Sequence, residues 1–81
     1  MESAVTSTTY QVKHTERLDN IVFELREYTG PYLPKALYFA YRYQPLEREK
    51  LEEVATLRAG QKLLRKWRMI ELHQKRAKAE A

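Results

Sequence analysis

The 81-residue chain contains no cysteine. Disulfides and thiolate metal sites are therefore excluded, and His14 and His73 stand too far apart to suggest a zinc centre. Gly30 and Gly60 are the only glycines, so no Gly-rich phosphate-cradling loop is present. Long apolar runs are missing too. The longest, Ala36 to Tyr41, ends at Arg42, far short of the roughly 18–20 residues of a membrane span. Met1-Glu2-Ser3-Ala4 has neither the basic segment nor the apolar core of a signal peptide, so a soluble product made in the cytoplasm is expected. No nucleophile sits near a base in a known motif. His14 beside Glu16 is the one acid–base pair of note, and a lone surface histidine is more often incidental than catalytic, so neither an enzyme nor a cofactor is expected.

What is present is charge, aromatics and short periodic segments. The net charge is +4 with a pI near 9.5, and the excess lies late in the chain. From Gln61 onward, Lys62, Arg65, Lys66, Arg68, Lys75, Arg76 and Lys78 face only Glu71 and Glu80. A basic tail of this kind suits nucleic acid, a membrane surface or an acidic protein groove, or serves only as a solvated face. Basic residues beside Trp67 also resemble a nucleic-acid-tracking pattern, but Glu71 interrupts it and no nucleic-acid motif accompanies it, so nucleic acid is not the expected partner. A domain this short buries only about 60–65% of its unfolded surface, which favours support from a partner.

In chain order, residues 1–8 are small and polar and read as a flexible arm. Tyr10 and Val12 alternate with Gln11 and Lys13, which predicts a strand over 9–14. Leu18, Ile21, Val22, Leu25 and Tyr28 follow a helical spacing, which predicts a helix over 16–28 with Thr15 as its N-cap. Gly30-Pro31 ends that element, and Pro34 opens a second predicted helix with Leu33, Leu37, Ala40 and Tyr41 inward. Tyr32, Tyr38, Arg42 and Tyr43 are left for outward contact, with Leu37 and Tyr41 in the core. Gln44-Pro45 breaks that helix, a short charged helix is expected after it, and Gly60 reads as a turn or C-cap. Residues 62–66 are locally ambiguous, their periodicity leaning helical. Trp67 is either a core residue or, with Arg68, Met69 and Ile70, a partner anchor.

Tyr10-Gln-Val-Lys-His-Thr-Glu-Arg-Leu-Asp-Asn-Ile21 resembles the opening of a LysM domain. Tyr28-Thr29-Gly30, Gln44-Pro45-Leu46 and Leu57-Arg-Ala-Gly-Gln-Lys-Leu63 follow in the order seen in the LysM-like phage tail protein X family. The resemblance covers residues 9–67 and implies an α+β fold of β-α-α-β order, with residues 62–66 as a second strand pairing with the first. Residues 68–81 then form a basic extension, helical or extended. It implies a structural adaptor in the baseplate of a contractile tail or tail-like particle, made in the bacterial cytoplasm and joining hub or spike to wedge proteins. The alternative it implies is a peptidoglycan-binding module. In the positions of the sugar groove, Arg17, Arg42, Glu47 and Arg48 would fit a flat glycan poorly.

Overall fold

The computed structural model describes residues 9–80. Four strands precede one helix: β1 (Thr9–Leu18), β2 (Ile21–Thr29), β3 (Leu37–Tyr43), β4 (Lys50–Val54) and α1 (Leu57–Glu80). The strands form one antiparallel meander in the order β1-β2-β3-β4. The class is α+β, as expected, but the element order is β-β-β-β-α. Both predicted helices over residues 16–43 are strands, the predicted strand over 62–66 lies inside α1, and β1 pairs with β2 instead. The expected polar arm lies outside the described residues.

The alternation of side chains explains the change from helix to strand. A strand from Ile21 to Thr29 puts Ile21, Phe23 and Leu25 on one face and Val22, Glu24, Arg26 and Tyr28 on the other. A helix with the stripe Leu18–Ile21–Val22–Leu25–Tyr28 would leave Phe23 outside it. The strand buries Phe23 completely and removes its ring from water, worth roughly 1.5–3 kcal/mol. Asp19 and Asn20 make the two-residue turn of the β1–β2 hairpin, and Asp19 takes the left-handed conformation at φ 56°, which Asp tolerates. Thr15, expected as a helix cap, is instead within β1 opposite Glu24. β3 is Leu-Tyr-Phe-Ala-Tyr-Arg-Tyr, a run of ring and apolar side chains that suits a pleated surface better than a helix.

The N-cap belongs to α1. Ala59 N–H donates to Thr56 Oγ1 at 3.1 Å, and Gly60 N–H donates to the Thr56 carbonyl at 3.0 Å. Gly60, read from sequence as a turn or C-cap, is thus in the first turns of the helix. Its reason is proximity, because a Cβ there would overlap the Leu25 side chain. α1 crosses one face of the sheet and closes a core of Phe23, Leu25, Ala40, Leu64 and Trp67, with Leu18, Ile21, Tyr38, Val54, Leu57 and Leu63 around it. Beyond Leu72 the helix is exposed, so its end projects past the core.

Candidate functional site

Among the described residues no helix lies on the second face of the sheet, which is built mainly of large side chains. Strand register places Tyr10 and Val12 of β1 beside Arg26 and Tyr28 of β2, then Leu37, Phe39, Tyr41 and Tyr43 of β3, and Leu51 of β4. A bulge at Lys13, between Val12 and His14, shifts the register of β1. Tyr10 and Val12 therefore share this face with Thr15 and Arg17, while His14, Glu16 and Leu18 turn toward the helix.

Arg26 is the centre of this face. Its guanidinium carbon lies 3.9 Å from the Tyr41 ring centroid and 4.5 Å from that of Tyr10, so the cation is held between two rings. Arg26 Nε donates to Glu24 Oε2, and Nη1 reaches the Tyr28 hydroxyl at 3.3 Å. The Tyr28 and Tyr41 hydroxyls are 2.7 Å apart, and Tyr43 donates to Glu24 Oε1 at 3.0 Å. The Tyr28 ring meets Tyr10 at 5.2 Å and Phe39 edge-on at 5.5 Å.

The electrostatics follow from this packing. Burial pulls the Arg26 guanidinium toward losing its proton, but the bonds to Tyr28 and Glu24 outweigh burial and hold it more firmly charged than usual. Burial, then the bond to Tyr28, pushes the Tyr41 hydroxyl up to about 12. Tyr43 is raised by burial and by its bond to Glu24. The polar groups at the centre of the face therefore satisfy one another. Around them the face exposes apolar side chains, Tyr10 at 48%, Val12 at 47% and Leu51 at 53%, together with the exposed Thr15, Arg17 and Glu53.

The contact residues expected from sequence do not gather on one surface. Tyr32 is highly exposed in the β2–β3 connection. Tyr38 packs against the core on the helix side. Arg42 is a clamp between sheet and helix, donating to Glu71 at 2.7 Å and to Gln44 at 3.0 Å, with Glu47 3.8 Å away. Tyr43 alone of the set lies on the helix-free face. Trp67 is 5% exposed in the core with Lys50 Nζ 4.7 Å above its ring, so it cannot anchor a partner. Arg68 donates to the Arg17 carbonyl at 3.1 Å, and Met69 and Ile70 are exposed on α1. The residues missed were Tyr10, Val12, Arg26, Tyr28, Phe39 and Leu51. The alternation within each of the four strands that carry them is the signal.

An open cleft of about 400 Å³ lies between the β1–β2 turn, the end of β3 and the last turns of α1. Two ion pairs span it, Arg42 with Glu71 and Lys75 with Asp19. His14 Nε2 and Glu16 Oε2 are 2.8 Å apart, and Arg65 joins that carboxylate at 3.6 Å, which makes a seam between β1 and α1. Among the described residues no cluster of metal-ligating side chains occurs and no helix is long and apolar enough to cross a membrane.

Fold and surface together define a class: among the described residues, a four-stranded antiparallel meander with one helix on one face and an aromatic second face. No protein-family model, curated protein or solved structure matches the chain.

Proposed function

We propose that this chain is a structural adaptor, a non-catalytic module that docks a protein partner on the helix-free face of its sheet. The observation that carries this is the closed polar network of Arg26, Glu24, Tyr28, Tyr41 and Tyr43 beneath exposed Tyr10, Val12 and Leu51. Covering polar groups costs free energy when their hydrogen bonds to water are lost without replacement. Here replacements already exist for Glu24, Tyr28, Tyr41 and Tyr43, so a partner that covers the centre of this face has few polar groups left to satisfy. A sheet with two apolar faces also gains by having both covered. Tyr and Arg are among the residue types enriched at the cores of protein interfaces.

A contractile-tail baseplate, with hub or spike joined to wedge proteins, is the setting named by the LysM resemblance. The β-β-β-β-α order gives that setting no support from the fold, and the adaptor proposal stands on the surface alone. The test is affinity capture from the host lysate with the parent chain and with Val12→Gln and Leu51→Gln, beside binding to insoluble peptidoglycan. A stoichiometric protein partner held by the parent and weakened at least about tenfold by either substitution, with circular dichroism unchanged, is the expected result. Equal capture by all three chains would sink the docking face. Saturable peptidoglycan binding without a protein partner would replace the adaptor by a glycan-binding module.

A further inference from the structure

The outward side of α1 carries a second surface with different chemistry. Arg58, Lys62, Arg65, Met69, His73 and Arg76 recur at intervals of three and four and are all exposed, with Lys66 beside them. No acidic residue lies in this row between Arg58 and Arg76. Arg65 shares Glu16 at 3.6 Å, while Arg58, Lys62, Lys66 and Arg76 make no ion pair with a described residue. The charge of the molecule is polarised to match. α1 holds eight Lys and Arg against Glu71 and Glu80, a local +6, which leaves the rest of the chain at −2 within a total of +4.

The row suits a particular kind of polyanion. A stable protein interface needs a dry apolar core, and on this row only Met69 offers one. A phosphodiester backbone needs no such core; it needs a line of cations at helix spacing. Arg58 to Arg76 covers about 27 Å at 1.5 Å per residue, enough to follow several successive phosphates. We infer that the outer face of α1 is a docking surface for the sugar–phosphate backbone of a nucleic acid, engaged without regard to base sequence. Trp67, the ring that the sequence placed beside these cations, faces the core and takes no part. Base stacking is therefore absent from this contact, which is electrostatic.

The test is fluorescence anisotropy of the full chain with a labelled duplex of arbitrary sequence and with one of its strands, across a salt series. With about four unpaired cations, the log of the duplex association constant should fall against log salt with a slope of about −3 to −4. That is roughly a hundredfold loss between about 50 and 200 mM salt. The slope on the single strand should be about three-quarters as steep. Lys62→Gln should remove about one unit of slope, and Lys35→Gln, which removes the same charge away from α1, should leave the slope unchanged. Absence of binding at low salt would overturn the inference. So would an equal effect of the two substitutions, or labelled polyglutamate binding as tightly as the duplex. Val12→Gln lies on the opposite side of the molecule and should leave this binding intact, so a failure here is distinguishable from a failure of the protein-docking face.

Discussion

At Gly60 helix and sheet approach so closely that a methyl group would overlap Leu25, which is itself fully buried and has nowhere to go. Two effects of similar size compete in Gly60→Ala. The helix gains about 1 kcal/mol of intrinsic propensity. Overfilling the contact costs about 1–3 kcal/mol. Overfilling should win, giving a net loss of about 1 kcal/mol, read as a lower urea midpoint with unchanged slope. The same substitution in a Leu25→Ala chain, where the space has been emptied, should reverse sign and stabilise. If Gly60→Ala destabilises both chains equally, Leu25 is not the reason for the glycine.

Turns and strands decide the fold at the scale of elements. Gln44-Pro45-Leu46-Glu47 closes the β3–β4 connection, with Glu47 N–H donating to the Gln44 carbonyl at 3.4 Å. Pro45 fits the second position of such a turn, but Leu46 then sits at φ 67° with its side chain wholly in solvent. A left-handed leucine costs about 1–2 kcal/mol. Leu46→Gly removes that strain and adds back part of it as unfolded-chain entropy. A gain of about 0.5–1 kcal/mol in denaturant stability is expected, and a loss would show that Leu46 makes a contact worth more than its strain.

The elements also show what the sequence could disclose. β1 is legible from the alternation of Tyr10 to Lys13, and residues 63–70 carry a helical periodicity that α1 follows, against the strand over 62–66 that the LysM resemblance implies. β2 was not legible, because Leu18, Ile21, Val22 and Leu25 satisfy a helical stripe while Ile21, Phe23 and Leu25 satisfy a strand. The burial of Phe23 under α1, more than thirty residues away in the chain, separates the two. The Asp19-Asn20 turn between apolar neighbours was the local signal passed over. Of the candidate surfaces, the basic row of α1 was visible as charge. The aromatic face was hidden, since it appears only after Tyr10, Arg26, Tyr28 and Phe39 are aligned by the register of three strands.

Over the whole molecule the tyrosines give the sheet a common response to alkali. Tyr41 is pushed up to about 12, and Tyr43 and Tyr38 are raised as well, in each case by burial first. In the unfolded chain these groups release their protons near the ordinary tyrosine value of 10, before the folded chain does. The unfolded state therefore binds fewer protons between about 10 and 12, and stability should fall as pH rises through that window. Thermal midpoints followed by circular dichroism should drop there. Tyr41→Phe should flatten the drop while lowering the midpoint at neutral pH through loss of the Tyr28 bond. A drop of the same steepness in Tyr41→Phe would place the alkaline sensitivity elsewhere.

The position of α1 after all four strands has a consequence for synthesis. Every strand pairs with its neighbour in sequence, so the sheet closes only short loops and its hairpins can form as they leave the ribosome. Phe23 and Leu25, however, wait for Leu64 and Trp67. Until those residues emerge, the nascent sheet shows water an apolar surface on both sides. The last third of the chain is therefore what turns an aggregation-prone meander into a finished domain.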